Sequence, residues 1–512
     1  MLTQLLAKAV SNDPDQTAIV YDNIRISYQE LYTKVEGFSR GLNSIGVSRG
    51  DCVAFLLPNC PEFVIGFYTV AKLNGIVLPL NHLFKVEEIG YYLADSDVKV
   101  IITDSKRADL CLQALSNFDR TVQLIVVDQL YSPPAKYFYD LVLLEELESK
   151  AALSKSDSDD VLYQYSSGST GRPKRVSRTQ ENLYHEAKNF AETARVSSSD
   201  SILCVVPLYH AHGLGNCLLA AICNGATLVI LEQSKQKGLS VEVPFVFKVS
   251  RILDLIETEK VTILPGVPYI FKAMAESPSS EGADLSMVRL CFSAGNFLGK
   301  DVFDKFLNRF GLPIQQLYGC TEAGSISINL DENSEETWNS VGIPPKNVEI
   351  KIIDEEGNGL AAGVVGEVVI KSPTLTKAYH NLPQVNQQAF KNGTFLTGDL
   401  GKCDAEGRLY ITGRKKILID TGGRKVDPVE IEDILSSHLK VKEAVVVGVK
   451  EHHSGEIVKA VIVPSEPEEF LELEIFSYCK EHLAEFKVPK IVEFRDEIPK
   501  SPLGKILRKQ LV

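Results

Sequence analysis

The stretch Tyr163-Gln-Tyr-Ser-Ser-Gly-Ser-Thr-Gly-Arg-Pro-Lys174 decides the reading of this chain. A short apolar lead-in runs into a loop of hydroxyls and glycines. There, backbone amides can approach an anion without side-chain obstruction, Ser166, Ser167, Ser169 and Thr170 can donate further hydrogen bonds, and Lys174 adds positive charge. The loop is not a Walker A motif, since the spacing from Gly168 ends at Pro173 rather than at Gly-Lys. By composition alone such a loop is also a plain connection, so its weight comes from what surrounds it.

Outward from the loop, the pattern is one of alternation. From Ser27 to Val127, amphipathic stretches at 29–45, 60–74, 86–95 and 105–117 are separated by β-branched runs at Val53–Leu57, Val98–Thr103 and Val122–Val127. This is the rhythm of βα units on a mostly parallel sheet. It resumes after Ile202 and runs to Gln316. Between Val341 and Ile411, glycines at 357, 359, 363, 366 and 407 punctuate short strands, which predicts a small β subdomain. Further on, Asp427-Pro428 is an N-cap and first-turn pair, with Ile431, Ile434 and Leu435 on one face of the helix it opens. Strands at Ala444–Val449, Val458–Val463 and Ile491–Phe494 and a helix around Phe470–Leu483 complete an α+β unit. The expected fold class is therefore α/β. A large N-terminal domain of two α/β layers plus a small β subdomain spans 1–413, and a small α+β C-terminal domain spans 414–512.

Composition narrows the function classes. With 44% hydrophobic and 24% charged side chains in 512 residues, the chain has the make-up of a globular protein with a sizeable core. The formal net charge of −13 lies almost wholly before Arg414, which disfavours a nucleic-acid partner, because duplex binding needs a basic face. Ten dispersed cysteines without a Cys-x-x-Cys spacing fit a reduced, cytoplasmic compartment. The N-terminal segment has neither a basic leader nor a long apolar run, so no secretory signal or anchor is expected.

Six segments in order carry a resemblance: Ser166 to Lys174; Pro207-Leu-Tyr-His210; Tyr318-Gly-Cys-Thr-Glu322; Thr397-Gly-Asp399; Gly413-Arg-Lys-Lys416 with Gly422-Gly423 and Val426-Asp-Pro-Val-Glu430-Ile-Glu432; and Pro499-Lys-Ser-Pro-Leu-Gly-Lys505. Over nearly its whole length the chain resembles the adenylate-forming superfamily of acyl-CoA synthetases, 4-coumarate:CoA ligases, luciferases and peptide-synthetase adenylation domains. The resemblance implies ATP-dependent activation of a fatty or aryl acid to an acyl-adenylate and transfer to the thiol of coenzyme A, with ATP, Mg²⁺ and coenzyme A as cofactors and co-substrates.

The implied roles answer physical needs. Attack of a carboxylate on the α-phosphate of ATP brings two anions together, so positioning and positive charge must do the work. The resemblance gives that task to Lys505. It assigns Ser166, Ser167, Gly168, Ser169, Thr170, Gly171, Lys174, Gly295, Tyr318, Gly319, Asp399 and Arg414 to the nucleotide, with Asp399 on the ribose hydroxyls. Thr321 would contact the α-phosphate and Glu322 would hold Mg²⁺, an oxygen ligand for a hard cation. His210 would gate the acid carboxylate. Tyr209, His212, Gly213, Gly215 and Gly319 would line the acid pocket, the small residues leaving room for a chain or ring. Lys416 would be the hinge of a mobile C-terminal domain, and Gly422 and Gly423 would lie along the pantetheine tunnel. On their own, a lysine near a chain end is a solvated charge, an Asp after Gly a turn residue, and a histidine after Pro-x-aromatic a partner for a loop carbonyl.

Departures from the common pattern are Arg175 for Gly, Gln180 for His, Asn296 after Ser293, and Leu503 for Ser or Thr; none removes a required charge. Arg175 and Arg178 make the run after Arg172 unusually basic, to be read either as solvated or as meeting phosphates of the thiol donor. No acid stands between Tyr209 and Asn216 to pair with a substrate ammonium, which disfavours an amino-acid substrate. Rival readings are transfer to an acyl carrier protein and a non-catalytic nucleotide- or acyl-binding homologue.

Overall fold

Local rules set where the elements begin. Ser27 opens the helix Tyr28–Ser44 with a capping box: its hydroxyl accepts from the Glu30 amide (3.2 Å) and the Glu30 carboxylate accepts from the Ser27 amide (2.8 Å). Thr179 forms a second capping box at Gln180–Thr193 with Asn182, and Asp104 caps Ser105–Leu115 by accepting from the Arg107 amide at 3.0 Å. Asp427 caps Pro428–Ser436, accepting from the Val429 amide at 2.9 Å with Pro428 in the first turn.

The computed structural model describes residues 1–116, 118–128, 135–143, 159–166, 173–236, 239–241, 243, 245–280, 282–333, 335–415, 417, 419–421, 424–451, 455–466, 472–483, 487–500 and 506–512. The chain forms two compact units: Met1–Ile350, Ile370–Leu396 and Gly407–Leu409 in the first, and Lys351–Val369, Thr397–Glu406 and Tyr410–Val512 in the second.

The first unit holds two large sheets. One has seven strands in the order Lys136–Tyr137, Gln123–Val126, Val98–Thr103, Cys52–Leu56, Ile76–Pro79, Asp160–Ser166, Lys174–Thr179; all neighbours are parallel except the last pair. The other has eight strands in the order Gly324–Ile328, Ile314–Cys320, Leu290–Ser293, Ile263–Gly266, Ser201–Cys204, Thr227–Ile230, Thr17–Tyr21, Ile24–Ser27, parallel except at the two edges. Fully buried Phe38, Phe55, Phe63, Phe67 and Phe138 share one apolar core with Leu203, Val229 and Phe292. The α/β alternation read from the sequence is thus realised as two sheets, with helix bounds within a few residues of those expected.

The β-rich segment from Val341 to Ile411 contains the strands Glu349–Ile353, Gly366–Lys371, Thr394–Cys403 and Leu409–Arg414. The second unit adds the long hairpin Val441–Glu451 with Gly455–Pro464, flanked by Ile419–Thr421 and Ile491–Phe494 and covered by Pro428–Ser436 and Glu472–His482 around Ile431, Leu435 and Ile475. No described helix is long and apolar enough to cross a membrane.

Tyr28 ties the first helical layer to the second sheet, its buried hydroxyl donating to the Ala226 carbonyl at 2.7 Å. Replacing it by Phe strands that carbonyl, so Tyr28→Phe is expected to lower unfolding free energy by about 1–3 kcal/mol in urea titration.

Candidate active site

The site grows from the hairpin of Asp160–Ser166 and Lys174–Thr179, in which Ser166 faces Lys174 at the mouth. Among the described residues the buried hydroxyl of Ser166 has no hydrogen-bond partner, which leaves it able to donate to a ligand oxygen. Ser167, Gly168, Ser169, Thr170 and Gly171, the rest of the expected phosphate loop, lie outside the described residues.

A second segment is laid along this hairpin. Val176 bridges Tyr379 antiparallel, the His380 amide donates to the Arg175 carbonyl (3.1 Å), and Thr376 donates its hydroxyl to the Ser177 carbonyl (2.7 Å) and its amide to the Glu322 carbonyl (2.8 Å). The consequence is a short chain of groups: the Lys174 ammonium stands 4.0 Å from the Tyr379 ring centroid, and the Tyr379 hydroxyl donates to Glu322 Oε1 at 2.7 Å. Lys174 and Glu322, far apart in sequence, are brought together by a tyrosine the sequence reading did not single out. Tyr379 lies among turns, where no periodicity marks it.

Thr321 and Glu322 turn the hairpin between Ile314–Cys320 and Gly324–Ile328, whose register shifts at Tyr318 and Gly319. The Thr321 carbonyl accepts from Arg178 Nη1 at 3.5 Å. Glu322 is buried, and a single carboxylate beside a phosphate site fits a magnesium ion that keeps waters and takes its other ligands from the nucleotide. Among the described residues there is no group of three or more His, Cys, Asp or Glu that could hold a metal. Gly295, at φ +86°, has open space where a side chain would stand, as a surface approached by a ligand needs.

His210 caps the short helix Ala211–Gly213, its Nδ1 accepting from the His212 amide at 3.3 Å, and Gln164 Nε2 donates to the Tyr209 carbonyl at 3.1 Å. The turn that follows, Leu214–Leu219, is a fully buried π-helix. From it Asn216 Nδ2 reaches His212 Nδ1 at 2.9 Å and Asn216 Oδ1 accepts from the Ser325 hydroxyl at 2.6 Å, while His212 Nε2 is 3.0 Å from the Gly266 carbonyl. These partners fix one neutral tautomer, with the proton on Nε2. Burial pushes the His212 imidazole down to about 4.

Two expectations are corrected. Arg175 and Arg178 are neither solvated nor available to a thiol donor. Arg175 is buried over the Tyr163 ring (4.6 Å), bonded to the Asp95 carbonyl and 3.4 Å from its carboxylate. Arg178 is 1% exposed and pairs with Glu186, itself 3% exposed, at 2.8 Å. Both stand on the edge strand of the seven-stranded sheet, where the segment around Tyr379 and Glu186 from the following helix cover them, so the basic run is drawn inward. The pocket glycines do not leave room either: a Cβ at Gly213 would collide with the Pro207 carbonyl, at Gly215 with the Glu186 carboxylate, and at Gly319 with the Gly324 carbonyl. Their smallness permits close approach of protein to protein.

In the second unit, Arg414 Nε is bonded to the Asp399 carboxylate, joining two residues assigned to the nucleotide. Glu367 accepts from the Gly398 amide (3.2 Å) and meets Lys415 (3.2 Å), holding the turn before Asp399. Lys416, Gly422, Gly423 and Lys505 lie outside the described residues. The segments on either side of Lys505 are pinned: Lys500 to Glu443 at 2.5 Å, and Arg508 to both Glu432 oxygens and to the Val446 carbonyl at 2.6 Å.

The depressed His212 yields a pH prediction. An unfolded imidazole takes up its proton below 6.5, the folded one only near 4, so the stability held by neutral His212 is complete above 6.5 and is lost progressively as the pH falls towards 4. Urea titrations across this range should show a shallower acid-side decline for His212→Gln than for the wild type.

Comparison with known proteins identifies the family. The family model for the AMP-binding enzyme matches residues 6–380, and that for the AMP-binding enzyme C-terminal domain matches 430–505. The chain is 32% identical to a probable CoA ligase of Humulus lupulus, over 99% of this chain and 95% of that one. It is 30% identical to a long-chain-fatty-acid–CoA ligase of Bacillus subtilis, over 100% and 94%. Among solved structures it is similar to ATP-bound MatB of Rhodopseudomonas palustris (TM-score 0.87, 27% identity, 100% and 98% covered) and to the o-succinylbenzoate CoA synthetase of Bacillus subtilis with its acyl-adenylate intermediate (TM-score 0.85, 28% identity, 99% and 97% covered). The chain belongs to the AMP-binding enzyme family and is an AMP-forming acid–thiol ligase, activating a carboxylic acid with ATP and passing it to coenzyme A.

Proposed function

We propose that the acid is a fatty or aryl acid rather than an amino acid, and that the residues named above divide the work. The observation that carries the reading is the Lys174–Tyr379–Glu322 chain, which links a carboxylate through one tyrosine to a cation on the strand residue that faces Ser166, whose hydroxyl has no partner among the described residues. A bound magnesium ion would neutralise phosphate charge beside Glu322. Lys174 and the hydroxyl-rich loop hold the ATP phosphates, Thr321 the α-phosphate, Gly295, Tyr318 and Gly319 the nucleoside, and Asp399 with Arg414 the ribose side. Tyr209 and His210 orient the acid carboxylate.

The first displacement joins a carboxylate oxygen to the α-phosphorus and expels pyrophosphate, with Lys505 offsetting the charge of both anions. In the second, the thiolate sulfur attacks the acyl carbon and AMP leaves. Lys505 must withdraw first, which is the purpose of a mobile C-terminal domain over 414–512, hinged at Lys416, with Gly422 and Gly423 admitting the pantetheine arm. Ten cysteines without a disulfide among the described residues suit a reduced cytoplasm.

Purified protein with Mg-ATP, an acid panel and coenzyme A tests this. Fatty or aryl acids are expected to release pyrophosphate and give thioesters, and Lys505→Ala is expected to slow pyrophosphate release by about a hundredfold or more. Release with amino acids alone would contradict the substrate class, and an adenylate that coenzyme A leaves untouched would point to a carrier protein as acceptor.

A further inference from the structure

The glycines of the acid-side segment raise a question of space: what occupies the volume they vacate? The Glu186 carboxylate, reaching in from the helix Gln180–Thr193, fills the place of a side chain at both Gly215 and Gly324. Its partner Arg178 comes from the neighbouring strand and extends to the Thr321 carbonyl.

Ser325 joins this pair to the network of the π-helix. Its backbone amide donates to Glu186, and its hydroxyl donates to Asn216, which donates to His212, whose Nε2 meets the Gly266 carbonyl. An unbroken run of hydrogen-bonded groups therefore extends from Thr321 to Gly266. All five side chains, those of Arg178, Glu186, Ser325, Asn216 and His212, are buried. Phe292, fully buried, stands edge-on to the His212 ring at 5.7 Å and 5.4 Å from Phe190, packing the apolar side of the same wall.

We infer that this wall is a stop that limits the acid to a compact one, a short alkyl chain or a single ring. An extended chain passing beyond Tyr209–Asn216 would have to displace an ion pair already removed from water and leave each of its charges unpaired. Methylenes gained there could not offset that cost. The inference rests on the assignment of Tyr209–Asn216 to the acid. It also completes the argument against amino acids: a carboxylate is present at Gly215, supplied by Glu186, but Arg178 already holds it.

The test compares kcat/KM for pyrophosphate release with acetate, butyrate, benzoate, octanoate and palmitate, in the wild type and in the Arg178→Leu, Glu186→Ala double variant, which removes both charges together. The wild type is expected to favour butyrate or benzoate over octanoate and palmitate by about a hundredfold, and the double variant to raise the octanoate-to-butyrate ratio about tenfold or more. Palmitate turnover on a par with butyrate, or an unchanged ratio in a folded double variant, would overturn the inference. Acyl-sulfamoyl-adenosines of graded length, titrated calorimetrically into the wild type, decide the same point without turnover or mutation; tight binding of the palmitoyl analogue would overturn it. Absence of pyrophosphate with every acid would sink the ligase reading instead, and the analogue series would still decide the size limit.

Discussion

The buried ion pair between Arg178 and Glu186 is the constraint around which the first unit's site is arranged. Two charges removed from water persist only where geometry satisfies both, and here the satisfying groups come from separate elements: a strand, a helix, and the amide of Ser325 beyond the Thr321–Glu322 turn. Burial raises the Glu186 carboxyl above its ordinary range while the guanidinium opposes that shift. The glycines follow from the same pair. Gly215 and Gly324 have no side chain because the Glu186 carboxylate stands where one would be, and Gly324 also adopts a left-handed φ of +68°.

Charge placement accounts for the rest of the site. A chain of net charge −13 must hold polyanionic ATP, so its cations have to be local and held in place. Lys174 rests on the Tyr379 ring, whose hydroxyl bonds Glu322, and that holds a positive and a negative group in fixed relation through one tyrosine. The second unit works differently. Arg414 is half exposed and bonded to a buried Asp399, so the carboxylate is anchored while the guanidinium keeps contact with solvent.

Much of the fold was legible in the sequence because the rules involved are local. Asp427-Pro428 announced a helix start by capping chemistry, and Val98–Thr103 announced a strand by its branched side chains, without reference to distant residues. The burial of Arg178 was not legible. A run of Arg, Lys and Arg looks solvated until the segment around Tyr379 is laid along its edge strand and Glu186 is brought to it by a helix. Tyr379 escaped for the same reason, since its meaning depends on lying against Val176. The glycines misled in a third way: smallness in a sequence does not say whether ligand or protein fills the space.

The first displacement requires that a carboxylate oxygen of the substrate bond to the α-phosphorus of ATP. A carboxylic acid carrying a heavy oxygen isotope in both carboxylate positions, turned over with Mg-ATP and coenzyme A, tests it most directly by mass spectrometry of the released nucleotide. One labelled oxygen is expected in AMP, none in pyrophosphate, and one in the thioester carbonyl. Unlabelled AMP, with the label in inorganic phosphate, would contradict it.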